Sequence, residues 1–153
     1  LLQFPFYAGI AQILTKVPNS SGTTLSDTIA HWFVGASSNS TVFSFLVGIY
    51  SALLGFFVPS AGGKWIIEAP YIMKAANDIG AHLGWTVMVY NIAETLPNFI
   101  NPFWMLPLLG ILGLKSKDLI GYTSVQFFIH FPIVMLLAAI LMATFTYHPP
   151  ILP

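Results

Sequence analysis

The stretch that decides the fold is Val58-Pro59-Ser60-Ala61-Gly62-Gly63-Lys64-Trp65, which lies between two apolar segments. A proline, a serine and two glycines in hydrophobic surroundings end a helix. Irregular backbone at membrane depth persists only where it is buried in protein or lines a cavity. The stretch is therefore a candidate binding site within the membrane, and the alternative is an ordinary turn between two helices at the membrane surface.

Composition places the chain in a lipid bilayer. Of its 153 residues, 56% are hydrophobic and only 7% are charged, whereas a soluble domain carries about 25% charged residues. The net charge is zero and no basic run occurs, so nothing indicates a nucleic-acid partner. The lack of cysteine excludes disulfides and Cys-ligated metal. Because the chain opens within an apolar run at Leu1, we expect a fragment of a longer protein.

The hydrophobic pattern and its interruptions divide the chain into five helical segments. They are the end of a span (1–16), an interfacial helix (23–36), a re-entrant hairpin (41–80), a broken helix (82–114) and a last span (118–147).

The interfacial helix is predicted from its capping residues and its periodicity. Thr24 or Ser26 can cap it, and an apolar face forms at helical spacing from Leu25, Ile29, Trp32 and Phe33. Such a helix lies in the plane of the interface. The alternative is a short connector packed on protein.

The hairpin has a polar second arm, which carries Lys64, Glu68, Lys74 and Asp78. Each such charge costs about 2.5–3.5 kcal/mol at the centre of a lipid-exposed helix, so we expect protein to shield this arm. Lys64 and Glu68 are four residues apart, which places them together on a helix that begins near the tip. They form either a structural ion pair or part of the functional site.

The segment 82–114 is predicted to be one crossing made of two half-helices. An unbroken helix of this length would extend roughly 50 Å, and Pro97 and Pro102 argue against continuity. Asn101 is a plausible N-cap and Pro102 a plausible first residue of the second half. The Lys115–Asp118 loop is predicted to be cytoplasmic, which places the mouth of the hairpin on the outer side.

Two interrupted elements in succession indicate a transporter site near the membrane midplane. A half-helix begins at each break and directs backbone amides and its positive dipole end inward, which favours an anion. The predicted substrate-binding residues are Ser60, Ala61, Gly62, Gly63, Lys64, Asn98 and Asn101. The predicted coupling-ion residues are Glu94, Thr95 and Asn98, which offer oxygen atoms to Na⁺ or a carboxylate to a proton. Neither a cofactor nor a metal centre is expected, since the four histidines have no metal-ligand spacing.

The sequence resembles the bacterial short-chain fatty acid transporter family, within the larger ion transporter superfamily of inverted-repeat carriers. The matching motifs are the 58–65 tip, Gln3 to Tyr7, Glu94, Asn98, Ile100 to Trp104, Leu106 to Gly110, and Gly121-Tyr122. The chain departs from the family pattern at Ala61, Lys64, Glu68 and Thr95 to Pro97, which bears on the substrate and the coupling ion.

The resemblance implies an all-α membrane protein, and specifically the C-terminal part of an inverted-repeat carrier with a re-entrant hairpin and a broken transmembrane helix. It also implies a multi-pass protein of the bacterial cytoplasmic membrane that forms homodimers and moves its site in an elevator-like motion.

The expected function is cation-coupled secondary transport of a short-chain monocarboxylate such as butyrate or acetoacetate, with no catalytic residues. One alternative is a carrier of another organic anion. A second is a cation/proton antiporter that uses Glu94. A third, an intramembrane enzyme, would depend on Ser60 and the distant His130.

Overall fold

A computed structural model describes residues 3–58 and 60–150, with backbone only at positions 3, 61 and 102–104. Its elements in chain order are α1 (Gln3–Lys16), α2 (Leu25–Ala36), α3 (Ser40–Phe57), α4 (Ala61–Asp78), α5 (Leu83–Thr95), a 3₁₀ turn (Leu96–Phe99), α6 (Pro102–Leu112) and α7 (Ser116–Met142). The prediction of a helical protein is confirmed for these residues. The start of the first predicted span, at positions 1 and 2, and Pro59 of the hairpin tip lie outside them.

Two of the helices are long and apolar enough to cross a membrane. They are α3, with 18 residues, and α7, with 27 residues. At 1.5 Å per residue they extend about 27 Å and about 40 Å, comparable with the ~30 Å hydrocarbon core of a bilayer. Their length and composition are those of a helical membrane protein.

Both predicted interruptions are present. The first separates α3 from α4, which run antiparallel, since the Tyr50 hydroxyl of α3 meets that of Tyr71 of α4 at 2.7 Å. The second separates α5 from α6 and contains the 3₁₀ turn. As predicted from the proline, α6 begins at Pro102. Glu94, predicted to lie inside this break, instead lies in the last turn of α5.

The core lies where α3 crosses its neighbours. α3 packs mainly against α5 and α7, whereas α4 packs mainly against α1 and α2. The largest side chains that are completely buried include Phe33, Phe43 and Ile72. The end of α5 and the 3₁₀ turn approach α3 closely at Gly55. A Cβ at this position would lie 3.1 Å from Pro97 Cγ and 3.3 Å from the Glu94 carbonyl oxygen. This contact brings the second break against α3.

Helix α2 starts as the sequence predicts, although its buried face differs. Thr24 is the N-cap, and its hydroxyl accepts a hydrogen bond from the Asp27 amide at 3.1 Å. The residues buried against the protein are Ser26, Ala30 and Phe33, so Leu25 and Trp32, which are predicted on the same apolar face as Phe33, are not packed on protein with it. Both are more than half exposed, where an apolar or interfacial environment suits them.

An ion pair joins α2 to α4. The Lys74 ammonium contacts the Asp27 carboxylate, which also accepts hydrogen bonds from the Thr24 hydroxyl and amide. The Lys74 hydrogen bond, followed by those from Thr24, holds the pKa of Asp27 well below its usual range. The polar end of α4 is thereby fixed to the start of α2.

Helix α7 covers a different range from the predicted last span, 118–147. It begins at Ser116, because the Asp118 carboxylate accepts a hydrogen bond from the Lys115 amide at 2.9 Å and caps the first turn. It ends at Met142, after which the chain turns back onto the protein. There Tyr147 donates a hydrogen bond to Asn77 at 2.6 Å.

Candidate functional site

The start of α4 leaves backbone amides unused by the helix. The first intrahelical hydrogen bond runs from the Lys64 amide to the Ser60 carbonyl oxygen at 2.9 Å. Ser60 occupies the N-cap position, but its side chain makes no capping hydrogen bond. The amides of Gly62 and Gly63 precede the first helical bond and carry the positive end of the helix dipole. Gly62 is exposed, whereas Gly63 is buried.

Gly63 permits close packing of α1 at this helix start. A Cβ at this position would collide with the ring of Tyr7 on α1 and would lie 2.9 Å from the Ser60 hydroxyl. A residue larger than glycine would therefore displace either the Tyr7 ring or the Ser60 side chain. Glycine at position 63 thus allows Tyr7 of α1 to pack directly against the start of α4.

A cavity of about 200 Å³ lies beside this helix start. Its lining residues are Gly62, Trp65, Val87, Met88, Tyr90, Asn91 and Glu94. Gly62, Met88 and Asn91 are exposed, so the cavity opens to the surface. One wall is aromatic, with the rings of Trp65 and Tyr90 at a centroid distance of 4.6 Å. The cavity thus joins the first residues of α4 to the last turn of α5.

Behind the cavity lies a buried charge cluster formed by Lys64, Glu68 and Glu94. Their exposed fractions are 2%, 3% and 3%, values that charged side chains rarely reach unless they are paired. The three charges act on one another electrostatically. One carboxylate oxygen, Oε2, of each glutamate is buried without a hydrogen-bond partner among the described residues.

The Lys64 ammonium is held by α3 and α5, while the lysine itself belongs to α4. Its Nζ donates a hydrogen bond to the Ser51 carbonyl oxygen at 2.9 Å and lies 5.1 Å from the centre of the Tyr90 ring. Ser51 in turn donates its hydroxyl to the Tyr90 carbonyl oxygen at 2.9 Å. The three helices therefore meet at this ammonium.

Lys64 and Glu68 share a buried face of α4, as their spacing predicts. However, within the described chain Lys64 makes no direct ion pair with Glu68, and its hydrogen bond goes to Ser51. Lys64 also does not contribute to the lining of the cavity described above. Its ammonium is directed toward α3, away from the amides at the helix start.

The residues of the second break occupy separate environments. Thr95 is exposed and its hydroxyl donates to the Ile92 carbonyl oxygen at 2.7 Å. Asn98 lies in the 3₁₀ turn and Asn101 directly precedes α6, both half-buried. Neither asparagine lines the cavity of about 200 Å³. The structure brings Gly62 and Glu94 to one cavity, and the convergence of both breaks on a single site stays a prediction.

Three tyrosines at this site were not identified from the sequence. Tyr50, Tyr71 and Tyr90 come from α3, α4 and α5 and surround the charge cluster. The Tyr90 hydroxyl is buried and interacts with the Glu68 carboxylate, although it makes no hydrogen bond of ordinary geometry among the described residues. A signal was present in the sequence, since tyrosine at midhelix in a membrane segment brings a polar group that needs a partner.

The histidines have ordinary structural roles in the part of the chain that the structure describes. Nδ1 of His82 accepts a hydrogen bond from the Trp85 amide at 3.0 Å, and Nδ1 of His130 lies 2.9 Å from the Gln126 carbonyl oxygen. His130 is exposed and contacts Phe99. Among the described residues no group of three His, Cys, Asp or Glu is arranged to hold a metal ion.

Interrupted apolar helices and buried charges beside a cavity define the class as a helical membrane protein with features typical of a transporter. Residues 1–142 match the model of the family described as short chain fatty acid transporter. The chain therefore belongs to the short-chain fatty acid transporter family, which is a family of transporters and not of enzymes.

Two curated proteins resemble the chain over 122 residues, which are 80% of its length. One, from Escherichia coli (strain K12), is 41% identical, and the other, from Haemophilus influenzae (strain ATCC 51907 / DSM 11121 / KW20 / Rd), is 39% identical. Both are named "Putative short-chain fatty acid transporter". The match spans only 26% of each relative. No solved structure matches the chain.

Proposed function

We propose that the chain contains part of the substrate-binding site of a secondary transporter. The transporter moves short-chain monocarboxylates, such as butyrate or acetoacetate, across the bacterial cytoplasmic membrane. The observation that carries this proposal is the family match over residues 1–142. It supports the substrate class, and the helix start beside the cavity supports a site of suitable chemistry. No bond is made or broken, so the residues bind and do not catalyse.

The start of α4 is the proposed carboxylate site. The unused amides of Gly62 and Gly63, together with Ser60 and the Ala61 amide, offer hydrogen-bond donors at the positive end of a helix dipole. The neighbouring cavity of about 200 Å³ is smaller than the ~300–1,000 Å³ typical of sites for drug-sized ligands. A small acid whose alkyl chain rests on the rings of Trp65 and Tyr90 suits it.

The coupling cation is proposed to act through Glu94. This glutamate lines the same cavity as Gly62, so an anionic substrate at the helix start would be repelled by an ionised Glu94. A proton or a sodium ion at Glu94 removes this repulsion. Thr95 and Asn98 are the further proposed ligands if the ion is sodium.

We further propose that α3 and α4 form a re-entrant hairpin and that α5 and α6 form one broken crossing of an inverted-repeat, multi-pass carrier that functions as a homodimer. Support comes from Lys64 and Glu68 of α4, which are buried in protein and so avoid lipid, whereas Lys74 and Asp78 near the end of α4 are exposed. Further support comes from the breaks, which lie against protein.

A carrier of another organic anion would use the same helix start. A second candidate function, from a different class, is cation/proton antiport. The buried Glu94 Oε2, which lacks a partner among the described residues, favours it, because an antiporter needs an ionisable group in its ion path. The amides at the α4 start favour an anion, which an antiporter would not bind.

Uptake of radiolabelled butyrate by proteoliposomes containing the whole carrier tests the proposal. We expect accumulation above that of empty liposomes, competition by unlabelled acetoacetate, and dependence on an imposed cation gradient. Failure of butyrate and all related monocarboxylates to enter would contradict the substrate assignment. Cation exchange without any carboxylate uptake would favour the antiporter.

A further inference from the structure

We propose that the Lys64 ammonium is a built-in cation that takes the position of a sodium ion in the buried charge cluster next to Glu94, so that the carrier works without sodium and takes up a proton on Glu94 with each substrate. This inference rests on the proposed carboxylate transport. It assigns to Lys64 a role different from the substrate contact that its position in the sequence suggested.

The surroundings of the ammonium are those that would bind an alkali cation. It has a backbone carbonyl oxygen at 2.9 Å and the face of an aromatic ring at 5.1 Å. The carboxyl groups of Glu68 and Glu94 act on it electrostatically without a direct ion pair among the described residues. Carbonyl and carboxylate oxygens are the ligands that hard cations prefer. A lysine ammonium carries the same charge as Na⁺ but remains tethered to α4.

With one lysine and two ionised glutamates, the cluster would carry one net negative charge. Among the described residues, one lysine faces two glutamates, and the phenols of Tyr50, Tyr71 and Tyr90 also face the cluster. These phenols are uncharged near neutral pH. On the elements packed nearby, Tyr7 of α1 adjoins Gly63, and His130 of α7 is exposed beside Phe99. A net buried charge is costly, so the cluster favours one further cation.

Glu94 is the group placed to receive this charge as a proton. It lines the cavity that opens to the surface, whereas Glu68 does not. Its Oε2 atom is buried without a partner among the described residues, so a proton from water can add there and later return to water. Because the cavity also contains Gly62 of the proposed anion site, the proton and the carboxylate bind together more favourably than either binds alone.

Sodium binding to the purified whole carrier gives a test that needs no transport. The melting temperature is measured in sodium chloride and in choline chloride of equal ionic strength. We expect no difference for the wild type, and a rise of about 2 °C or more in sodium for Lys64→Gln, because removal of the ammonium vacates the cation position. Lys74→Gln, which alters the exposed lysine on the same helix, is the matched control and should match the wild type.

Lys64→Gln leaves two buried glutamates without a cation, and this variant can fail to fold because unpaired buried charges are destabilising. A second variant therefore keeps the test possible. Lys64→Gln combined with Glu68→Gln restores the charge count and should also gain sodium-dependent stabilisation. Sodium stabilisation of the wild type would overturn the inference. A folded Lys64→Gln or double variant that remains indifferent to sodium would also overturn it.

Measurements of butyrate uptake distinguish a failure of this inference from a failure of the proposed function. If butyrate is taken up, we expect a pH gradient, and not a sodium gradient, to increase uptake by the wild type. In Glu94→Gln this increase in uptake should be at least tenfold smaller than in the wild type. Uptake that requires sodium in the wild type would contradict the built-in cation while leaving carboxylate transport intact. No uptake of any monocarboxylate, together with sodium stabilisation of Lys64→Gln, would contradict the transport proposal alone.

Discussion

Single residues set how closely the helices of this protein approach one another. Gly55 of α3 faces rigid neighbours, since a Cβ there would lie 3.1 Å from the Pro97 ring and 3.3 Å from the Glu94 carbonyl oxygen. Gly48 faces the flexible end of Met135, which can move. The contact at Gly55 positions the last turn of α5, and with it the Glu94 side chain in the cavity.

Gly55→Ala is therefore expected to destabilise the protein. Overpacking against a proline ring and a backbone oxygen costs about 1–3 kcal/mol, which exceeds the helix-propensity gain of up to about 1 kcal/mol. Gly121→Ala in α7 is the matched control, because a Cβ at Gly121 would meet no neighbouring element within 4 Å. Chemical unfolding of the whole carrier in detergent should give a free energy of unfolding lower for Gly55→Ala than for Gly121→Ala. Equal values would contradict the close contact.

At the scale of elements, the buried charge cluster depends on three helices meeting at one point. Lys64 of α4 donates to Ser51 of α3, and the Ser51 hydroxyl donates to the Tyr90 carbonyl oxygen of α5. Each of these groups would be costly if buried alone. The outer face of α4 is held separately, through the Lys74–Asp27 ion pair with α2.

The connection between α2 and α4 predicts a defined pH dependence. Folding lowers the pKa of Asp27, so its contribution is complete above the unfolded pKa of about 3.9 and is lost as the pH falls below it. The difference in melting temperature between the wild type and Asp27→Asn should be constant from about pH 8 to pH 5 and should shrink below about pH 4. Asp78→Asn is the control, because the Asp78 carboxylate makes no hydrogen bond or ion pair within the described chain. A difference that persists at low pH would exclude the ionised carboxylate as its source.

At the scale of the whole molecule, α7 separates an apolar outer surface from the helices that carry the site. Its buried side consists of Phe127, Met135, Ala138, Ala139 and Met142. Its outer side is broadly exposed and apolar, as at Phe128, Ile129, Ile133, Leu136 and Ile140. An apolar surface of this extent is stable in lipid or against another apolar surface.

Cysteine labelling tests this orientation. In a cysteine-free background of the whole carrier, Ile133→Cys should resist a membrane-impermeant maleimide, because that face of α7 meets lipid. Lys117→Cys, in the exposed first turn of α7, should react from one side of intact membranes. Rapid labelling of Ile133→Cys would place this face of α7 in water and contradict the proposed crossing.

The positions of the breaks were predictable because they depend on local chemistry. Pro97 and Pro102 lie within the first two positions of a 3₁₀ turn and of a helix, where a missing amide costs no hydrogen bond. Proline alone does not decide a break, since Pro70, Pro107 and Pro132 lie inside helices. Thr24 caps α2 and Pro102 opens α6 as expected. By contrast, the end of α7 at Met142 differs from the predicted end, and beyond it Tyr147 contacts Asn77, a residue distant in the sequence.

The sequence by itself determined that this is a helical membrane protein with two interrupted elements, since composition and breaker residues act within a few turns of the chain. Only the tertiary structure decided where the charges face. The spacing of Lys64 and Glu68 predicted neighbours on one helix, but it could not reveal Ser51 and Tyr90 as the partners of the ammonium. Those partners come from other helices, and their meeting depends on how closely glycine and alanine positions allow the backbones to pack.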